Sequence, residues 1–92
     1  MISVIFPGQF SKILGSELLI RVSGSTIKEV IENVCISHEP LRKHFFLESG
    51  SLSPFVAFCL SNQDLIHSSS EADSVTLTDG DSVEVLMSMA GG

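Results

Sequence analysis

An α+β fold, with one helix packed across one face of a mixed sheet, is predicted by three features of this 92-residue chain. Two alternating apolar runs open the chain, one stretch of helical spacing follows, and further strand-like runs divided by turn residues complete it. The length fits one domain with one modest core.

The elements follow in order. Ile2, Val4 and Phe6 alternate with Ser3, Ile5 and Pro7, the period of a half-buried strand that Pro7-Gly8 ends. Gly15-Ser16 opens a second run, Glu17 to Ser23, with Leu18, Ile20 and Val22 on one face, a hairpin partner for the first. Ile27, Val30, Ile31 and Val34 then recur at i, i+3, i+4 and i+7, the apolar stripe of an amphipathic helix that Cys35 extends. Ser25 is the expected N-cap, with Lys28 and Glu29 in the first turn, and the helix should stop before Pro40. Leu41 to Leu47 suggests a further short turn, and Glu48 to Ser53 reads as loop.

Phe55 to Leu60 is a third strand, with Phe55, Ala57 and Cys59 on one face and Val56, Phe58 and Leu60 on the other. Apolar residues on both faces predict an interior place in the sheet. A turn at Ser61-Asn62-Gln63-Asp64 leads to a short strand, Leu65-Ile66-His67. A polar stretch, Ser68 to Ser74, and Val75-Thr76-Leu77 follow, before a tight turn at Asp79-Gly80-Asp81 in which Gly80 supplies positive φ. Val83 to Met89 is the last strand, expected to lie parallel to the first and to leave the C-terminus projecting as a free arm. The domain is taken as residues 1–89 and the tail as 90–92.

Composition excludes several functions. A formal charge of −6 with five basic residues cannot neutralise a phosphate track, so nucleic acid is not the partner. Acidity of this size favours steering toward a basic protein surface. No apolar stretch approaches bilayer length and no signal-peptide pattern opens the chain, so no membrane role and a cytoplasmic address are expected. Cys35 and Cys59 lack metal-ligand spacing; the sequence admits a disulfide between them, and two buried free thiols are the expected state.

No catalytic constellation emerges. His38, His44 and His67 stand outside any motif with Cys or Asp and read as solvated surface groups. Asp79-Gly80-Asp81 lacks the ligand series of a calcium loop, and Gly8, Gly15 and Gly24 are too widely spaced for a phosphate loop. The chain is therefore not expected to be an enzyme or to bind a metal or cofactor. If Val83 and Val85 face the core, Glu84, Leu86 and Ser88 face outward, and Leu65 and Ile5 are expected to join Leu86 in an apolar docking patch.

The end of the chain is its most specific feature. The alternating run Val83, Val85, Met87, Met89 passes straight into Ala90-Gly91-Gly92. Two final glycines occur by chance in roughly one chain in 200. They leave a thin backbone that can be threaded into another protein's active site. Thr78-Asp79-Gly80-Asp81-Ser82-Val83-Glu84-Val85-Leu86 followed by Ala90-Gly91-Gly92 resembles the ending of the ubiquitin-like sulfur carriers, which include the small subunit of molybdopterin synthase and the thiamine- and cysteine-pathway carriers. The opening Met1 to Phe6, the Ser25-Thr26-Ile27 helix start and the Phe55 to Leu65 segment follow the same layout.

The resemblance implies a β-grasp fold and a role as a substrate of other enzymes. A ubiquitin-activating-type enzyme uses ATP to adenylate the Gly92 carboxylate. Sulfur from a donor then displaces AMP to leave a thiocarboxylate, which serves a sulfur-accepting biosynthetic enzyme. Leu65 and Leu86 match the positions that dock the activating enzyme. Pro7 stands where a bulky aromatic is common, and Met87-Ser88-Met89 replaces a proline-containing approach to the tail. A molybdopterin synthase small subunit and a ubiquitin-like protein modifier are the alternatives.

Overall fold

The computed structural model describes residues 1–60 and 65–87, with the backbone alone at Leu65. The expected turn at 61–64, the end of the last strand and the tail at 90–92 lie outside the described residues.

Five strands form one sheet among the described residues: β1 (Ile2–Ile5), β2 (Leu19–Val22), β3 (Val56–Leu60), β4 (Leu65–Ser68) and β5 (Ser82–Met87), in the order β2-β1-β5-β3-β4. β1 and β2 form the expected antiparallel hairpin, and β1 lies parallel to β5. β3 is interior, antiparallel to both β4 and β5. The last strand therefore occupies the middle of the sheet, where both its edges are hydrogen-bonded and its direction is fixed.

Three α-helices among the described residues join the sheet: α1 (Ser11–Leu14), α2 (Ile27–Ser37) and α3 (Arg42–Phe45). The α2 stripe of Ile27, Val30, Ile31, Val34 and Cys35 is buried against Ile2, Val4, Phe58, Val83 and Val85 of the sheet. Helix spacing on one side and strand alternation on the other bring two apolar surfaces together, and their burial drives the fold.

The N-cap of α2 is Thr26, not Ser25. Thr26 has extended backbone, and its hydroxyl accepts the Glu29 N–H at 3.2 Å. Ser25 instead donates its own N–H to the Glu29 carboxylate at 2.9 Å. The reciprocal bonds of a capping box are thus spread over two residues.

Residues 8–14, whose helical spacing of Phe10, Ile13 and Leu14 is too short to stand out from loop, form a 3₁₀ turn (Gly8–Phe10) and α1. They bury Phe10 against Phe45, with ring centroids 5.2 Å apart, and beside Phe6 at 6.0 Å. Phe45 comes from the short turn expected after Leu41. That segment is a 3₁₀ turn (Glu39–Leu41) followed by α3. Three phenylalanines from three separate segments thereby close one end of the core.

Val75, Thr76 and Leu77 form no strand. Thr76 makes an isolated bridge to Thr26, and Leu77 N–H donates to the Ser25 carbonyl at 2.8 Å, so this segment clasps the start of α2. At the following turn Gly80 has φ +94° and Asp81 Oδ2 accepts the Thr78 N–H at 2.9 Å.

Candidate functional site

The sheet face turned away from α2 carries the residues of interest. Cross-strand partners share a face, so register alone builds this surface. Leu19 stands opposite Ile5, Ile5 opposite Glu84, Glu84 opposite Cys59 and Cys59 opposite Ile66. One row therefore crosses all five strands, apolar at both ends, with the exposed Glu84 carboxylate in its middle. Leu19 and Ile66 are 47% and 65% exposed, large values for aliphatic groups. Leu86, half-buried, lies one step farther along β5 and opposite Ala57.

Of the residues expected to dock a partner, Ile5 and Leu86 share this face, two steps apart with Glu84 between them. Leu65 pairs in register with Leu60, which belongs to the core-facing set with Val83. Its side chain lies outside the described residues. Val83 and Val85 face the core as expected.

The C-terminal end of β5 borders a shallow depression of about 250 Å³ lined by Pro54, Phe55, Ala57, Ser68, Leu86 and Met87. The larger groove, about 980 Å³, lies elsewhere. Arg42 and Phe46 line it, the guanidinium 4.8 Å from the ring centroid, together with Glu39, Lys43 and Glu48, and none of its lining residues belongs to the sheet.

The titratable groups are dispersed. Among the described residues no three of His, Cys, Asp and Glu stand close enough to hold a metal ion. Cys35 is buried, and that burial pushes its thiol up to about 11, with Arg42 opposing and Glu32 adding to the shift. Cys59 is a free thiol only half-buried, contrary to the expectation of two buried ones, because its strand position faces the open side of the sheet.

His44 is exposed and packs edge-on against Phe10 at 5.5 Å. His38 and His67 depart from the solvated reading. Nδ1 of His38 and Nε2 of His67 are buried without a hydrogen-bond partner among the described residues, and Nδ1 of His67 lies 3.6 Å from Glu71. His67 sits on the core-facing side of an edge strand, opposite Phe58, where the strand pleat gives it no route to solvent on that ring edge.

The row itself was not legible beforehand. Alternation assigned Ala57 and Cys59 to one face, but only the pairing register brings Cys59 beside Glu84 and adds Leu19 and Ile66. No helix of the described residues is long and apolar enough to cross a membrane.

Comparison with known proteins fits this geometry. The ThiS family model matches residues 4–92. The solved structure of a CysO complex with BexX from Amycolatopsis orientalis is similar at 21% identity and TM-score 0.74, with all of both chains covered. CysO of Mycobacterium tuberculosis is similar at 22% identity and TM-score 0.75, covering 97% of this chain and 100% of that one. SAMP1 of Haloferax volcanii is similar at 15% identity and TM-score 0.71, covering 99% and 98%. No curated protein matches the sequence. The five-stranded mixed sheet with α2 across it is the ubiquitin-like β-grasp shared with these structures. The chain belongs to the ThiS family of ubiquitin-like sulfur carriers.

Proposed function

We propose that the chain carries sulfur as a thiocarboxylate on Gly92 and has no catalytic group of its own. A carboxylate is a poor electrophile. Adenylation by a ubiquitin-activating-type enzyme makes a mixed anhydride with AMP as leaving group, at the expense of ATP and with release of pyrophosphate. Hydrosulfide attacks the acyl carbon, and AMP departs with the electrons of the broken C–O bond. Where the donor is a persulfide, the acyl disulfide formed first is cleaved by a second thiol, which leaves as the donor's disulfide. The resulting sulfur anion is the nucleophile offered to an accepting biosynthetic enzyme. This reading assigns the protein to the cytoplasm, where the activating enzyme finds ATP.

The observation that carries the reading is the place of β5. It is the middle strand, paired on both edges, and it runs toward Ala90-Gly91-Gly92. A strand held that firmly gives a partner a rigid body to grip while it works on the residues beyond. Ile5 and Leu86 flank Glu84 on the open face beside it. An apolar contact surrounding one carboxylate suits a partner surface with a basic group set in an apolar rim.

The test is intact-mass analysis after incubation with a ThiS-type activating enzyme, ATP and hydrosulfide. A gain equal to one oxygen replaced by sulfur is expected, and removal of Gly91 and Gly92 abolishes it. An unchanged mass with an enzyme that thiolates its own carrier overturns the proposal. A second reading draws on the small archaeal modifier proteins, which share the fold. It predicts Gly92 joined to lysines as isopeptides, detectable as branched peptides after digestion. Stable co-purification with a larger subunit is the mark of the remaining alternative, a molybdopterin synthase small subunit.

A further inference from the structure

The free edge of the sheet carries Arg21 of β2 and, two residues before that strand, Glu17. β2 ends the sheet, and no described strand covers its outer edge. Phe6 N–H donates to the Leu18 carbonyl at 2.8 Å, within a register that also opposes Val4 to Ile20 and Ile2 to Val22. The backbone groups of Leu18, Ile20 and Val22 therefore turn toward β1. Those of Leu19 and Arg21 turn outward, away from β1. Edge strands of this kind are templates for another strand.

We infer that two copies associate through this edge, antiparallel and two-fold symmetric, with Leu19 opposite Leu19 of the second copy. In that register Glu17 of each copy opposes Arg21 of the other. Both side chains are exposed, and neither has an ion-pair partner among the described residues. They stand four residues apart, Arg21 in β2 and Glu17 two residues before it, and make no ion pair with each other. Sliding the strands changes the outcome. Leu19 opposite Arg21 leaves both charges unmatched, and Arg21 opposite Arg21 sets like charges together. Only the register centred on Leu19 pairs them, and it aligns the outward backbone groups at the same time. The symmetry is isologous, so each ion pair occurs twice. The contact also covers Leu19 and makes the apolar row of one sheet continuous with that of its copy.

Two short strands bury far less than the roughly 1,600 Å² of a standard interface, so the dimer is weak, with a dissociation constant on the order of 10⁻⁴ M. Sedimentation equilibrium of the full chain from micromolar to millimolar concentration is the test. The weight-average mass should rise toward twice the monomer value. Glu17→Arg and Arg21→Glu should each weaken association roughly tenfold or more, because both pairs become repulsive. An equimolar mixture of these two variants should dimerise again, as should the double variant E17R/R21E. Leu19→Pro, which removes an outward N–H that β1 does not use, should abolish dimerisation with the folded spectrum retained. A chain that stays monomeric at millimolar concentration overturns the inference. So does dimerisation indifferent to these charges.

Discussion

Glu84 of β5 stands directly opposite Ile5 of β1, and this pairing puts the only carboxylate of the five-strand row at its centre. An exposed charge there contributes little to folding, since surface substitutions away from caps and cores usually fall within about 0.5 kcal/mol of neutral. It contributes to recognition instead, by steering and registering a basic partner. Glu84→Lys should therefore leave the melting temperature nearly unchanged while lowering carrier-dependent ATP–pyrophosphate exchange by the activating enzyme roughly tenfold or more. Leu86→Ala should act in the same assay through lost apolar contact. Unimpaired exchange in both variants moves the docking surface elsewhere.

Gly24 is a packing position. A Cβ built there meets Val30 Cγ2 at 2.5 Å and the Val30 backbone N at 3.1 Å, and Val30 is fully buried in α2. The loop cannot retreat freely, because Asn33 Nδ2 donates to the neighbouring Ser23 carbonyl at 2.7 Å. Gly24→Ala should cost about 2 kcal/mol by overpacking. In a domain this size that is roughly a 10 °C drop in melting temperature. Gly8→Ala, where the added methyl meets nothing within 4 Å, is the control and should melt like the parent.

These two residues also mark what the sequence discloses and what it withholds. The α2 stripe and the β1 and β5 alternations are strictly periodic, so the two-layer architecture and the inward set of Val83 and Val85 could be read directly. Val30 could be assigned to the core, but its contact with Gly24 arises from how α2 returns to the hairpin, which no local pattern encodes. Phe10 escaped because Phe10, Ile13 and Leu14 show helical spacing over too few residues to be distinguished from loop. Cys59 and Ile66 escaped as site residues because they join Glu84 only through the cross-strand register. Thr26 displaced Ser25 as cap because two hydroxyl residues stand in succession, and only backbone angles select between them.

The two thiols should separate by reactivity. Cys35 is 2% exposed, and burial holds its thiol up to about 11, so almost none is thiolate at neutral pH. Cys59 is half-buried on the open face. Iodoacetamide under native conditions should add one group, located at Cys59 by peptide mapping, and a second at Cys35 only after denaturation. Because Cys59 adjoins Glu84, the singly alkylated protein should also be a poorer substrate of the activating enzyme. Labelling of Cys35 first, in folded protein, contradicts the packing described.

The last expectation concerns acid. Glu71 closes a capping box at the 3₁₀ turn Ser69–Glu71, its carboxylate accepting the Ser68 N–H at 2.9 Å and the Ser68 hydroxyl at 3.1 Å, with His67 nearby. The Ser68 backbone hydrogen bond foremost, then its hydroxyl, holds the carboxyl below the ordinary value of 4.5. In the acid range the folded chain then binds fewer protons at this site than the unfolded chain does. The associated stability is fully present above 4.5 and is lost as the pH falls through the lower folded value. Glu71→Gln, which imitates the protonated group, should be less stable than the parent at neutral pH, and the two should draw together as the pH falls below 4.5 and converge below the lower folded value. Denaturant unfolding of both proteins across that range measures the difference directly. A gap that persists unchanged into strong acid assigns the loss to packing instead of charge.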